Sequence, residues 1–135
     1  MTKRKSKTMD LKDIQPEKRE VEIKHPGTGE NVGVRVSLVS INDPSLAKIK
    51  RSIQDERIRL ERKGKSFKAS DLEENGMNIA FTSMKSWDWY GEGVTFNDEK
   101  PEFNRKNVFD VFKSIPWFKD QIDLEMGDDS SFFMI

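Results

Sequence analysis

Apolar and polar positions alternate along Val21-Glu22-Ile23-Lys24 and again along Val32-Gly33-Val34-Arg35-Val36-Ser37-Leu38. A period of two marks a strand with one buried face. The turn formers His25-Pro26-Gly27-Thr28-Gly29-Glu30 between the two runs predict a β-hairpin. Val21 and Ile23 share one face, as do Val32, Val34, Val36 and Leu38. A lone hairpin is marginal in water, so that face has to rest on helices or on another copy of the chain.

The period then lengthens. Asp43 can cap a helix and Pro44 suits its first position, after which Leu46, Ile49, Ile53 and Leu60 recur at helical spacing among charged residues. This stripe is narrow, as in a helix packed on one side only, and Gly64 ends it. Ser70-Asp71-Leu72-Glu73 has capping-box form and opens a second helix, with Leu72, Ile79, Ala80, Met84 and Trp87 as its buried stripe. Gly76 inside it predicts a weak point or close packing. Trp87 to Gly93 break that helix. Val94-Thr95-Phe96 and Glu102-Phe103 flank Asn97 to Pro101 in a loop or a small second hairpin. Asn104 caps a third helix carrying Val108, Phe109, Val111, Phe112 and Ile115. Pro116 opens a short fourth one with Trp117, Phe118, Gln121, Ile122 and Leu124, closed by Gly127. The fold class is therefore α+β, mainly α: an N-terminal β-hairpin packed on a body of about four helices. Residues 1–19 read as a flexible basic arm with room for a short turn around Leu11 and Ile14. Residues 20–127 read as a single globular domain, and 128–135 as an acidic, then apolar tail.

Composition makes the core lean: 34% of the 135 residues are apolar and 36% are charged. The net charge of zero weighs against a nucleic-acid binder but hides an asymmetry. Lys3, Arg4, Lys5 and Lys7 make the start basic, and the segment from Lys48 to Lys68 sets nine lysines and arginines against only Asp55, Glu56 and Glu61. Asp120, Asp123, Glu125, Asp128 and Asp129 make the end acidic. Such a chain attracts copies of itself or a charged partner. It has no cysteine, which fits a reducing cytosol, and no apolar run near the ~20 residues of a membrane span, so no membrane role is expected.

The chemistry of the chain points to binding and not to catalysis. His25 is the single histidine and stands in a turn. No nucleophile elbow is present, and the carboxylates show no metal spacing. The Gly-rich turn lacks the Gly-Lys-Ser/Thr ending of a phosphate loop. No catalytic residue, metal or cofactor is expected. The aromatics fall into two groups, Trp87, Trp89 and Tyr90, and Phe109, Phe112, Trp117 and Phe118, which read as core. Phe132, Phe133, Met134 and Ile135 are four large apolar residues at an acidic end, and they need something to dock on.

Taken in order, these motifs resemble the tail assembly chaperones of long-tailed, lambda-like bacteriophages over roughly residues 20 to 133. The likeness is carried by the His25-Pro26-Gly27-Thr28-Gly29-Glu30 hairpin, the basic helix after Asp43-Pro44 and the Trp87 element. It continues in Phe103-Asn104, Ile115-Pro116-Trp117-Phe118, Gln121-Ile122 and Asp129-Ser130-Ser131-Phe132. The resemblance implies a non-enzymatic, oligomeric scaffold in the host cytoplasm. It would bind the tape measure protein, recruit tail tube protein during virion morphogenesis and be absent from the mature virion. It also implies a longer, frameshifted product, and Phe132-Phe133 can be encoded by a slippery uridine run. The expected partner-binding residues are Leu46, Ile49, Ile53 and Leu60 on the first helix, Phe132, Phe133, Met134 and Ile135 in the tail, and the exposed hairpin edge. The alternatives are a structural head–tail junction or minor tail protein retained in the virion, and a nucleic-acid binder acting through the Lys3–Lys7 arm and the basic helix after Pro44.

Overall fold

A computed structural model of the chain describes residues 10–14 and 16–133, with the backbone alone at 129 and 130. Lys3 to Lys7, Met134 and Ile135 lie outside the described residues. The elements are β1 (Arg19–Lys24), β2 (Asn31–Leu38), α1 (Ala47–Arg62), α2 (Ala69–Ser83), β3 (Met84–Asp88), α3 (Arg105–Ser114) and α4 (Pro116–Gly127), with short 3-10 turns at Leu11–Asp13, Pro44–Leu46 and Asp129–Phe133. This is the α+β, mainly helical class that the patterning predicts. The expected turn near Leu11 forms, capped by Asp10, and leaves Leu11 and Ile14 exposed.

The hairpin pairs Val21 with Val36 and Glu22 with Arg35. Its apolar face carries Val21, Ile23, Val34, Val36 and Leu38, all buried against the helices. The third strand corrects the sequence reading. Met84 and Trp87 do not continue α2; they belong to β3, which runs antiparallel to β2 and sets Trp87 opposite Val36. At the helix end Thr82 and Ser83 turn their hydroxyls back onto the carbonyls of Asn78 and Ala80, and Met84 is already extended. Ala80, Met84 and Trp87 fit a helical period, but Trp87 and Trp89 also fit a period of two, and pairing with β2 decides between them. Leu72, expected in the buried stripe, is 54% exposed.

The caps are as expected at Asp43, whose carboxylate accepts the Ser45 N–H at 2.9 Å, and at Asn104, which accepts the Asn107 N–H at 2.8 Å. At α2 the cap differs. Asp71, not Ser70, closes the start by accepting the Lys68 N–H at 3.0 Å. α1 ends in a Schellman motif: the Lys65 N–H reaches the Leu60 carbonyl and the Gly64 N–H reaches that of Glu61. The 95–100 loop turns through Asn97 and Asp98, both at positive φ, with Phe96 and Glu99 bonded to each other in both directions.

One aromatic cluster replaces the two groups expected. Trp87 meets Trp89 edge-on at 5.4 Å between centroids, Trp89 stacks on Phe118 at 6.5 Å, and Phe112 lies 6.3 Å from Phe118. Trp87 also donates to the Pro101 carbonyl at 3.0 Å, which brings the 89–103 loop down onto the sheet. Tyr90 stays outside the cluster, 44% exposed.

Gly76 is not packed closely. A Cβ there would meet only the end of the Lys119 side chain, at 3.4 Å from Nζ. Gly76→Ala should therefore recover helix propensity and raise stability by about 0.5–1 kcal/mol in urea denaturation. A loss of stability would mean that Lys119 cannot yield.

Candidate functional site

α1 packs lightly, against α2 and the 3-10 turn that leads into it. Its 16 residues bury none of their side chains. Ile49, Ile53 and Leu60 are half-buried and join neither the core cluster nor the residues packed against it. Leu46, just before the helix, is a correction to the expected partner surface: it is fully buried, so it anchors the helix and is closed to a partner. The described part of the tail is corrected in the same way. Phe132 is only 2% exposed and belongs to the core, while Phe133, at 40% exposed, faces outward. The tail has a docking place within its own chain because residues 129–133 form a 3-10 turn against the start of β1. There the Glu17 N–H donates to the Phe132 carbonyl at 2.8 Å, and the Arg19 guanidinium lies 5.3 Å from the Phe132 ring centroid.

The hairpin edge, also expected to bind, is held at both ends. Gln121 on α4 accepts the Lys24 N–H at 2.8 Å and donates to the Lys24 carbonyl at 2.7 Å, imitating a neighbouring strand. The Glu17 to Phe132 bond closes the other end, and Arg19 pairs with Glu125 beside it. Among the described residues of the predicted surfaces, Ile49, Ile53 and Leu60 on α1 and Phe133 in the tail keep part of their surface in solvent.

The charges of α1 follow its geometry. Lys50 donates to the Ile41 carbonyl, and the Arg57 guanidinium lies 5.7 Å from the Phe67 ring centroid. Both are held by groups that do not neutralise them. Arg59 grips Glu56 with two hydrogen bonds, of 2.9 and 2.5 Å, which lower the Glu56 pKa and raise that of Arg59. Among the described residues Lys48, Arg51, Arg62 and Lys65 have no carboxylate partner.

Two further constellations were not legible in the sequence. Lys100 donates to the carbonyls of Trp89, Gly91 and Val94 at 2.7, 2.7 and 3.1 Å and so ties up the loop after β3. On the outer face of the sheet, Tyr90 donates to Glu22 at 2.5 Å and Arg35 donates to the other carboxylate oxygen at 2.7 Å, with its guanidinium 4.5 Å from the Tyr90 ring centroid. The Tyr90 hydroxyl, ahead of Arg35, holds the Glu22 carboxyl below the usual carboxylate range, and the same bond raises the Tyr90 hydroxyl. Because Glu22 ionises more readily in the folded chain, its contribution is present above the ordinary value of 4.5 and is lost as pH falls through the lower folded value. The site is exposed, so the effect is small. Between about pH 5 and pH 3 the wild type should lose about 1–2 °C more of its thermal midpoint than Tyr90→Phe. Parallel profiles would show that the bond contributes nothing.

His25 is absorbed by its turn, where Nδ1 accepts the N–H groups of Gly27 and Thr28 at 3.0 and 3.1 Å. Among the described residues no three His, Cys, Asp or Glu side chains come together as a metal site would need, and no helix is long and apolar enough to cross a membrane. A depression of about 650 Å³ lies between the 96–102 loop and α3, lined by Phe96, Lys100, Glu102, Lys106 and Asp110. It is broad and polar, unlike the enclosed apolar clefts that hold small molecules. No family model matches the chain, and neither a curated protein nor a solved structure does so.

Proposed function

We propose that this chain is a tail assembly chaperone of long-tailed bacteriophages. It works in the host cytoplasm by binding alone, without a catalytic group, metal or cofactor. Copies of it coat the tape measure protein, draw tail tube subunits around it and leave before the virion is complete.

The observation that carries this reading is α1. A fold with a lean core nevertheless maintains a basic 16-residue helix that gives no side chain to that core. A helix held out in this way suits a partner better than it suits the chain's own stability. The order of the hairpin, basic helix, Trp87 and Pro116-Trp117-Phe118 motifs supports the same reading through its resemblance to such chaperones. A long client is held by many weak grips, and an oligomer supplies them by avidity, so each α1 need bind only weakly.

Co-expression with the tape measure protein of the same phage, followed by pull-down and sizing, tests the proposal. The expected result is a soluble complex with many copies of this chain per tape measure. An insoluble tape measure beside a free chain would overturn it. Mass spectrometry of purified particles separates the alternative: a chaperone is absent, whereas a head–tail junction or minor tail protein is present.

A further inference from the structure

We infer that α1 is a docking ridge for a single amphipathic helix whose flanks are acidic. Leu46, Ile49, Ile53 and Leu60 stand at intervals of three, four and seven residues. These are the a, d, a and a positions of a heptad, and they form a seam narrower than a core-facing stripe. Leu46 is buried and fixes the start of the seam, while Ile49, Ile53 and Leu60 keep part of their surface in solvent. Glu56 takes the remaining d position and is already satisfied by Arg59.

The charges beside the seam say what fits it. The e positions are Lys50 and Arg57 and the g positions are Ser52 and Arg59, with no acid among them. Asp55 and Glu61 fall at c and b, away from the seam. A second copy of α1 would bring like charges together in either orientation, since parallel helices oppose g with e, and antiparallel helices oppose e with e and g with g. A helix with Glu or Asp along the side that faces Lys50 and Arg57 meets opposite charge there, because a carbonyl and an aromatic ring hold these two cations without neutralising them. Nucleic acid fits less well, because partly buried isoleucine and leucine lie between the cations and Glu56 lies in the seam. The ridge spans about 24 Å, or two heptads, so a single contact is weak.

This inference rests on the proposed function only for the identity of the client, and its test uses designed peptides. Two labelled three-heptad peptides with Leu and Ile at a and d, one with Glu and one with Lys at e and g, are titrated into the full chain by fluorescence anisotropy. A 20-base-pair DNA duplex serves as competitor. The Glu peptide should bind saturably and about tenfold or more tighter than the Lys peptide. Ile49→Ser with Ile53→Ser should abolish binding, with circular dichroism confirming the fold. Arg57→Glu with Arg59→Glu should reverse the preference. No binding, equal binding of both peptides, displacement by the duplex or self-association through α1 would each overturn the inference. If the tape measure is captured but the Glu peptide is not bound, the ridge inference fails and the proposed function stands. The opposite pattern leaves the ridge and removes the client.

Discussion

Replacing Gly33 by alanine will destabilise the fold by about 3 kcal/mol or more. Gly33 lies in β2 with φ at +95°, a region that L side chains seldom adopt. Its neighbour across the gap is also a glycine. A Cβ on Gly33 would fall 2.6 Å from the Gly91 Cα and 3.1 Å from its N, and both are backbone atoms that cannot rotate away. The Gly91 N–H donates to the Gly33 carbonyl at 2.8 Å, so the clash breaks a hydrogen bond as well. Separation there lifts the loop that brings Trp89 onto Phe118 and hands its carbonyls to Lys100. Gly93→Ala is the control: φ is +75°, but nothing lies within 4 Å, so strain alone should cost about 1 kcal/mol. Urea denaturation of both variants checks the argument, and equal losses would show that the close approach of Gly33 and Gly91 contributes nothing.

Phe132→Ala is expected to cost about 3–5 kcal/mol, the penalty for emptying a large aromatic from a packed core. The side chain is 2% exposed and lies among the core residues, beneath the Arg19 guanidinium. Phe133→Ser, next to it, should cost less, about 1 kcal/mol, because 40% of its surface already lies in solvent. The pair of variants separates two roles for the tail. If Phe132→Ala keeps full stability and loses only the client, the tail is a grip, as the sequence reading has it. If stability falls as expected, the tail is part of the scaffold, and any loss of client binding has to be measured well below the unfolding transition.

The hairpin was legible because strict alternation on both sides of His25 to Glu30 leaves one register that buries Val21, Val34, Val36 and Leu38 together. The last two helices were legible because Asn104, Pro116 and Gly127 act locally, through a cap, a fixed φ and a stop. β3 was not legible. Trp87 satisfies two periods at once, a helical one with Ala80 and Met84 and a period of two with Trp89, and what chooses between them is its partner Val36, about fifty residues earlier in the chain. Leu46 and Phe132 were placed on the partner surface because periodicity and composition mark a residue as apolar without saying what covers it. Leu46 is covered within the fold and Phe132 by the core and the start of β1, both tertiary facts. On α1 the narrow stripe was visible, and it pointed to a helix packed on one side. That the helix gives nothing to the core emerged only once the core was assembled from other residues. The Lys100 clamp left no trace in sequence, since a lysine in a polar loop is commonly solvated.

The bond between Glu17 and Phe132 brings the two ends of the described fold to one place. The stretch before β1 and the end of the described fold meet there, so a short linker could join these two points. The chain is then topologically close to a ring. It could be cut in the exposed stretch between α1 and α2 and rejoined at its ends as a circular permutant without moving a core residue. In such a permutant α1 and α2 would become the termini. α1 could then be lengthened or fused to cargo while the sheet, the aromatic cluster and the hold of Gln121 on the β1 edge kept their places.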